Sequence, residues 1–419
     1  MMRPYYLIVI MNFVFRREKK LNNNLYILHN EELKKTLIFN KQFANSITVS
    51  REIYELIKDV ESPDALRNLA KEFVDADREY LENLANIFVE NHYFERFDNY
   101  RIQKIDFAVT DYCNLACTHC CFSAKRKQNN KIETIDMDIV KKIARMNPMQ
   151  ISITGGEPLL VSNILEIIEY FKKNIDGSLT IATNGTQINK NNVGLLCKNI
   201  DVFDISLDGI DAETTDKIRG KGVFDKVMAS IKLLKENGAK KITVSMVFDD
   251  KTSKNIDAFL ELCEKLEVEP MVRALNMVGR AKEKHTETSD EMTKFMSGGE
   301  ANILGCYDCP GGVYELFVDC KGDLYPCGLF KEDKYKIGNI FDDDFQQKMK
   351  WDKSLSWFEA YSEYIPNMRE ECKDCKVNIF CWSCPSLAKS YMEYNGIKKF
   401  KPLCDRKRKE LMETIWGYE

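Results

Sequence analysis

The sequence lacks an excess of charge of one sign, because 61 basic residues face 65 acidic ones in a chain of 419 residues. No basic stripe indicates nucleic-acid binding, and no acidic tail indicates a disordered segment. The apolar stretch 5–14 falls short of the roughly 20 residues that a membrane span requires. It also lacks a small-residue cleavage site and is interrupted by Met11. We interpret it as a strand preceded by a few dispensable residues, with Met11 as a candidate translation start. We therefore expect a cytoplasmic protein with neither a nucleic-acid nor a membrane partner.

Cysteine, by contrast, is abundant, with 15 residues. A secreted disulfide scaffold is typically smaller and follows a signal peptide, so clustered cysteines here indicate metal binding in a reducing compartment. Cys113, Cys117 and Cys120 are spaced C-x3-C-x2-C after an apolar run. Three such thiolates can bind three corners of a 4Fe-4S cluster and leave one iron open. The alternatives are three chance cysteines and a zinc knuckle. A zinc knuckle requires a fourth ligand at a familiar spacing, and His119 inside the loop is not read as one.

Strand and helix patterns alternate from about 101 to 281, which predicts parallel βα units. Functional residues of parallel barrels lie on loops at the C-terminal ends of strands, and the cysteine loop and a Gly-Gly-Glu-Pro turn both follow strands here. Six strands are predicted, at 104–110, 150–154, 178–183, 202–207, 241–248 and 270–275. Amphipathic helices are predicted between them, at 136–144, 163–173, 193–198, 224–235 and 256–266.

The cysteine triplet and the Gly-Gly-Glu-Pro turn resemble the signatures of the radical S-adenosylmethionine superfamily. The resemblance implies an α/β fold with a partial (β/α)6 TIM-like barrel in residues 99–285. It also implies that S-adenosylmethionine is bound and cleaved reductively to a 5′-deoxyadenosyl radical. Arg219 would pair with the methionine carboxylate, and 276–280 would border the adenine; for Ser206 and Arg219 an ordinary turn or surface role is the alternative. The residues implied to contact the cofactor are Gly155, Gly156, Glu157, Pro158, Thr183, Asn184, Ser206, Asp208 and Arg219.

Cysteines return after a polar stretch at 281–299 that is predicted to be a linker. A G-x4-C turn and a C-x2-C-x5-C-x2-C run resemble the cysteine-rich SPASM domain, expected in 300–419. The family more often has three residues where two separate the last pair of that run, and a zinc ribbon is the alternative. The resemblance assigns one auxiliary 4Fe-4S cluster to Cys306, Cys309, Cys327 and Cys384, and a second to Cys372, Cys375, Cys381 and Cys404.

Residues 1–98 precede the barrel and are predicted to form a small α+β unit. Short strands are predicted at 12–16, 24–28, 36–39 and 46–49. Three helices are predicted next: one capped by Ser50, one opened by Ser62 and Pro63, and one near 78–91. This order resembles the winged-helix leader-recognition domain of enzymes that modify ribosomally made peptides. The alternative is a packing appendage on the barrel.

Together the resemblances imply a radical SAM/SPASM enzyme that forms a thioether or carbon–carbon crosslink in a ribosomally synthesised precursor peptide. A one-electron donor such as flavodoxin or ferredoxin would be a further partner. The alternatives are protein maturation of the anaerobic sulfatase-maturating type, peptide epimerisation, and a non-catalytic iron–sulfur or zinc scaffold. Cys121 and Cys320 are spare thiols, alternative ligands or hydrogen-atom donors, while Cys197 and Cys263 are predicted to be buried helical thiols.

Overall fold

The computed structural model describes residues 25–40, 45–90, 93–94, 101–127, 134–249, 251–284, 309–350, 352–365, 368–372, 374–378, 384–395 and 401–417. The strand predicted at 12–16 lies outside these ranges, as do Cys306, Cys381 and the side chain of Cys404. Within them, no helix combines the length and the apolar character needed to cross a bilayer.

The first unit is a three-stranded antiparallel sheet followed by three helices, in the predicted order. The strands are β1 (Leu25–Asn30), β2 (Lys35–Asn40) and β3 (Asn45–Ser50), paired in that order. The helices are α1 (Arg51–Ile57), α2 (Pro63–Ala70) and α3 (Asp75–Glu90).

The helices of this unit begin where their capping residues predict. The Ser50 hydroxyl accepts the N–H of Ile53 at 3.2 Å, and the Ser62 hydroxyl accepts the N–H of Ala65 at 3.1 Å. The apolar faces of the helices pack on the sheet in a core separate from that of the barrel, formed by Ile38, Ile47, Val49, Tyr54, Ile57, Leu66, Ala70, Leu81, Leu84, Ala85, Phe88 and Tyr93.

The predicted partial barrel is confirmed. After β4 (Lys104–Ala108), the cysteine loop contains a short parallel ladder of β5 (Tyr112–Cys113) and β6 (Lys125–Arg126). The remaining barrel strands are β7 (Gln150–Thr154), β8 (Ser178–Thr183), β9 (Val202–Ser206), β10 (Ile242–Phe248) and β11 (Glu269–Ala274). They are parallel in the order β11-β10-β9-β8-β7-β4, so their C-terminal ends share one edge.

Helices connect these strands at nearly the predicted positions. They are α4 (Met137–Arg145), α5 (Ile164–Asn174), α6 (Val193–Asn199), α7 (Ala212–Arg219), α8 (Val223–Glu236) and α9 (Ile256–Leu266). The sequence did not predict α7, because it is short and largely polar. Its N-terminal cap stabilises this helix, because the Asp211 carboxylate accepts the N–H of Thr214 at 2.8 Å in a capping box.

Two features correct the expected boundary between the barrel and the C-terminal region. The predicted linker at 281–299 begins inside a helix, α10 (Arg280–Lys284). Further on, β12 (Glu315–Val318) pairs in parallel with β4, placing Glu315 beside Lys104. The predicted hairpin continues with β13 (Asp323–Tyr325) and β14 (Gly338–Asn339). The hairpin therefore extends the barrel sheet instead of forming a separate sheet.

Helices follow the hairpin in the C-terminal region, and the end of the last one contacts the first unit. They are α11 (Phe345–Lys348), α12 (Ser356–Ser362), α13 (Pro385–Asn395) and α14 (Lys401–Trp416). The indole N–H of Trp416 donates to the carbonyl of Lys376 at 3.0 Å, and the Trp416 carbonyl accepts from Lys35 at 2.9 Å. The Lys376 ammonium reaches the Asn30 side chain at 3.2 Å. The first unit thus contacts the segment that carries Cys372 and Cys375.

Candidate functional site

The cysteine loop lies at the C-terminal end of β4, where parallel barrels place their chemistry. Cys113 is buried, and Cys117 and Cys120 are partly buried; the three thiols interact electrostatically with one another. Burial raises the pKa of Cys113 to about 12 and also raises the pKa of Cys117, against the influence of Arg219. Thiols in such a setting ionise when a bound cation compensates for the lost hydration, as a metal ligand requires.

The Gly-Gly-Glu-Pro turn packs directly beneath this loop. The N–H groups of Gly156 and Glu157 donate to the carbonyls of Thr110 and Tyr112 at 2.7 and 2.8 Å. A Cβ atom on Gly155, whose φ is +133°, would lie 2.5 Å from the Thr110 carbonyl oxygen, and one on Gly156 would overlap the Tyr112 carbonyl. The expected contact of these glycines with the cofactor stays a prediction. In the structure they admit the chain's own cysteine loop.

Glu157 is fully buried and joins the ends of β7 and β8. One carboxylate oxygen accepts from the Thr183 hydroxyl at 2.6 Å, and the other accepts from the N–H of Asn184 at 2.8 Å. Burial raises the pKa of Glu157 above its ordinary value of 4.5, although the hydrogen bonds from Thr183, Asn184 and the Leu159 N–H oppose that shift. Glu157 thus fixes both loops; its expected contact with a cofactor stays a prediction. Pro158 is buried in the short helix Pro158–Leu160.

Asn184 connects the end of β8 to the first cysteine. Its side-chain amide donates toward Cys113 Sγ at 3.6 Å and to the Asn114 side chain at 2.9 Å. The N–H of Leu115 also approaches Cys113 Sγ, at 3.3 Å. Hydrogen bonds to ligand sulfurs tune the potential of iron–sulfur clusters. If Cys113 binds a cluster, Asn184 is therefore placed to tune its potential.

Asp208 is the centre of a buried charged network. It follows β9 at a φ of +67°, and its carboxylate pairs with Arg219 and with His119 Nε2, the latter at 2.9 Å. The other carboxylate oxygen accepts the N–H of Val247 at 2.7 Å. Burial favours the protonated acid, but Arg219 and His119 outweigh it and hold the pKa of Asp208 well below its usual range. The guanidinium also lies 4.0 Å from Cys117 Sγ. Ser206, at the end of β9, is half-buried.

The segment after β11 braces the cysteine loop from another side. The Arg280 side chain donates to the carbonyls of Cys117 and Ala124 at 3.0 and 2.8 Å, and its N–H donates to the carbonyl of Cys120 at 3.1 Å. Gly279, at a φ of +58°, lies so close to the Cys121 carbonyl that a side chain would not fit. The predicted contact between 276–280 and the adenine stays a prediction.

Three of the four cysteines assigned to the first auxiliary cluster lie together. Cys309, Cys327 and Cys384 interact electrostatically, and the Tyr361 hydroxyl is hydrogen-bonded to Cys309. Burial raises the pKa of Cys309 to about 12, with Cys384 reinforcing the shift and Tyr361 opposing it. Cys384 thus lies within electrostatic range of Cys309 and Cys327, and its assignment to their cluster stays a prediction. The fourth cysteine, Cys306, lies outside the described residues.

Two cysteines of the second auxiliary set lie among the described residues. Cys372 and Cys375 form one turn, in which the N–H of Cys375 donates to the Cys372 carbonyl at 3.0 Å. The Asn378 side chain donates to the same carbonyl at 2.9 Å. The assignment of these two cysteines with Cys381 and Cys404 to one cluster stays a prediction.

The other cysteines occupy different settings. Cys197 and Cys263 are buried in helices, as predicted. Cys121 follows the last barrel cysteine, and burial raises its pKa to about 12. Burial also raises the pKa of Cys320, with Asp111 and Asp319 reinforcing the shift and Lys331 opposing it.

Two family models match the regions just described. The model of the radical SAM superfamily matches residues 107–263, and SPASM, an iron–sulfur cluster-binding domain, matches residues 289–376. The chain thus contains a radical SAM domain and a SPASM domain. Iron–sulfur clusters and S-adenosylmethionine are therefore the cofactors of this radical SAM/SPASM enzyme.

Individual relatives agree with this assignment. The chain is 27% identical over 298 residues to mycofactocin maturase MftC of Mycolicibacterium smegmatis, a match covering 65% of this chain and 74% of that protein. Its fold is similar to Streptococcus suis SuiB bound to S-adenosylmethionine, with a TM-score of 0.53, 18% identity, and coverage of 92% of this chain and 98% of that one. SuiB bound to its precursor peptide SuiA also gives a TM-score of 0.53, with 16% identity and coverage of 89% and 96%. The chain is thus similar to a protein named as a maturase and to one solved with its precursor peptide.

The residues of the barrel fit the cofactor that this family uses. Among the described residues, buried polar atoms without a hydrogen-bond partner include Arg219 Nε, His119 Nδ1 and Asn276 Oδ1. A buried guanidinium N–H suits a carboxylate, and a buried amide oxygen suits an amine or hydroxyl donor. S-adenosylmethionine offers both kinds of group.

Two residues of these sites were missed by the sequence reasoning. His119 was treated as a loop residue over the cluster, although it pairs with Asp208. Tyr361 was not considered, although it is bonded to a candidate ligand. Two features of the sequence could have indicated the pairing of His119 with Asp208. One is a histidine inside a cysteine motif, and the other is an acid directly after the fourth barrel strand. No local signal marks Tyr361, which lies 52 positions beyond Cys309.

Proposed function

We propose that this radical SAM enzyme cleaves S-adenosylmethionine at a cluster held by Cys113, Cys117 and Cys120 and crosslinks a ribosomally synthesised peptide. The observation that carries the proposal is the cysteine loop, which the ends of four barrel strands brace through buried contacts. S-adenosylmethionine bound at a reduced cluster supplies a radical that abstracts a hydrogen atom from the substrate.

The chain's own residues prepare that site. Asp208 holds Arg219 beside the loop, and the unpartnered Nε of Arg219 can donate to a carboxylate. Glu157 keeps the loops after β7 and β8 in one arrangement. Asn184 donates toward Cys113 Sγ and stabilises a thiolate there. Held this way, the site needs little rearrangement to bind its cofactor.

Alanine at all three barrel cysteines tests the cleavage step. Wild-type protein reconstituted without oxygen should bind about 12 iron atoms per chain if there are three clusters of four irons. The variant should lose roughly a third of that iron and all dithionite-dependent 5′-deoxyadenosine. Cys263→Ala, which removes a buried thiol outside these sites, should retain both. Substantial 5′-deoxyadenosine from the triple variant would refute the proposal.

The peptide substrate rests on the maturase relatives and on the first unit. Its three-stranded sheet has β1 and β3 at the two edges among the described strands. An extended leader peptide can add to such an edge through main-chain hydrogen bonds. A fluorescent leader, taken from a small reading frame beside the gene, should bind the full chain but not a chain that starts at residue 99. Full turnover by the shortened chain would favour protein maturation of the sulfatase-maturating type.

The crosslink rests on the auxiliary cysteines. Forming the crosslink removes two hydrogens from the peptide. One of the two electrons released needs an acceptor near the substrate, and an auxiliary cluster is suited to accept it. Cys327→Ala or Cys375→Ala should therefore spare 5′-deoxyadenosine formation and suppress the product that is lighter by two hydrogens. Each variant must be checked for solubility, because cluster binding and folding are coupled in small cysteine-rich regions. A product of unchanged mass, carrying solvent deuterium at an α-carbon, would indicate epimerisation instead.

We also place the enzyme in the cytoplasm with a soluble one-electron donor. The support is its many thiols, which include partly buried free cysteines in both candidate sites. Thiolate ligands persist in a reducing compartment.

A further inference from the structure

The outer side of the cysteine loop carries a basic strand that is bonded to the first cysteine. In the parallel ladder, Lys125 is paired with Tyr112, and Arg126 is paired with Cys113. The N–H of Lys127 donates to the Cys113 carbonyl at 3.0 Å, and the N–H of Lys125 donates to the Asp111 carbonyl at 2.8 Å. Two hydrogen bonds thus connect this strand to the backbone on either side of Tyr112.

We call Tyr112, Lys125, Arg126 and Lys127 the basic ladder surface. Lys125 and Arg126 are exposed, and Tyr112 retains 37% of its exposure although it is aromatic. The ammonium groups of Lys125 and Lys127 lie 5.9 and 5.3 Å from the centre of the Tyr112 ring. Their proximity fixes two positive charges around one exposed ring.

The sides of the cysteine loop that face the barrel are covered by other segments of the chain. The Gly-Gly-Glu-Pro turn lies beneath Thr110 and Tyr112, the end of α7 receives the N–H of Thr118, and Arg280 holds Cys117. In the part of the chain that the structure describes, the ladder is the side of the loop that carries exposed charge beside Cys113. A protein that approaches the cluster from solvent meets this surface.

We propose that the basic ladder surface is the docking site of an acidic one-electron carrier protein of the flavodoxin class. The inference rests on the proposed function, because reductive cleavage requires one electron per S-adenosylmethionine. The donor is oxidised by one electron, the cluster is reduced by one electron, and no atom is transferred. A basic patch steers an acidic partner to this place and sets its register, and the exposed ring supplies apolar contact. Electron transfer weakens steeply with distance, so docking beside Cys113 favours it.

The test compares two variants with the same change in charge. Lys125→Glu/Arg126→Glu reverses the ladder, and Lys232→Glu/Lys265→Glu reverses two lysines on α8 and α9 whose side chains are 78% and 75% exposed. Binding of an acidic flavodoxin to each reconstituted full-length protein is measured by calorimetry at several salt concentrations. The ladder variant should bind at least roughly tenfold more weakly at low salt, with a reduced salt dependence. The control variant should bind like the wild type.

A second measurement separates failure of docking from failure of the proposed function. With dithionite as the reductant, the ladder variant should form 5′-deoxyadenosine at the wild-type rate, because a small reductant needs no docking surface. With reduced flavodoxin it should form less. If no protein forms 5′-deoxyadenosine with dithionite, the proposed function fails. Equal flavodoxin binding by both variants overturns the docking site, as does a ladder variant that loses precursor peptide binding and keeps flavodoxin binding.

Discussion

The barrel cysteines and the auxiliary cysteines are held by different kinds of structure. The barrel loop is braced by strand ends and by buried groups such as Glu157, Asp208 and Arg280. Cys309 and Cys327, by contrast, lie among turns and a three-residue helix, and Cys372 and Cys375 share one turn. A loop fixed by long-range contacts can keep its shape without metal, whereas turns that carry four thiolates gain much of their order from the cluster. We therefore predict that the barrel site is preformed without its metal, whereas the auxiliary site becomes ordered when it binds its cluster.

The largest expected effect comes from filling the space between the Gly-Gly-Glu-Pro turn and the cysteine loop. A methyl group at Gly156 would overlap the Tyr112 carbonyl, so Gly156→Ala should displace the loop and lose roughly a third of the bound iron, the share of one cluster in three. Gly194→Ala is the control, because nothing lies within 4 Å of its added Cβ. That variant should keep all its iron and change stability by no more than about 1 kcal/mol. Full iron in Gly156→Ala would show that the loop is not preformed by this contact.

Breaking the Asp208 network should have the next largest effect. Asp208→Asn leaves Arg219 buried without its partner, which should cost about 3–5 kcal/mol in the free energy of unfolding. Asp201→Asn removes a carboxylate that pairs with two lysines nearer the surface, and should cost about 1 kcal/mol. Urea unfolding at pH 7 checks both values. Equal losses in the two variants would contradict the role of burial.

The same pair gives a pH dependence. Neighbouring cations hold the pKa of both carboxyl groups below the ordinary value of 3.8, to about 2 for Asp201. Because the pKa is lower in the folded state, the stability that each group contributes is present above about pH 4 and declines as the pH falls below it. The difference in unfolding free energy between wild type and Asp201→Asn, whose partners are lysines, should therefore be constant from pH 7 to about pH 4 and shrink below that. A difference that grows on acidification would reverse this assignment.

The smallest effect should come from Tyr361 at the auxiliary site. Its hydroxyl is hydrogen-bonded to Cys309, and a hydrogen bond to a ligand sulfur raises the cluster potential. Tyr361→Phe should shift the auxiliary potential negative by on the order of tens of millivolts, measured by redox titration followed by electron paramagnetic resonance. Tyr364→Phe, which lies nearby but bonds to Glu393 at 3.4 Å, should leave it unchanged. The barrel cluster potential should be the same in both variants.

Local patterns predicted most of the fold. The six barrel strands follow from short apolar runs, and helices α1 and α2 follow from Ser50 and Ser62 at their starts. The barrel cysteines and the buried Glu157 could be predicted as site residues because each belongs to a short motif of neighbouring residues. These features depend on residues that are close together in the chain.

The unpredicted features join residues that are distant in the chain. His119 and Asp208 lie 89 positions apart, and neither residue type specifies the other. The pairing of β12 with β4 places Glu315 beside Lys104. The sequence of a four-residue strand does not indicate which strand it pairs with. The close contact of the glycine pair with the cysteine loop was not predicted for the same reason, since the partner in a close approach depends on the tertiary fold.

The pairing of β12 with β4 also affects how the protein is made. Glu315 is synthesised 211 residues after Lys104, the strand residue that it pairs with. At a synthesis rate of about 5–20 residues per second, the β4 edge of the barrel sheet stays unpaired for roughly 10–40 s before β12 is made. An open strand edge is a site for wrong pairing between chains. Slow translation or crowded expression should therefore harm the yield of this protein at a defined stage, after the barrel has emerged and before the hairpin at 315–325 has followed it.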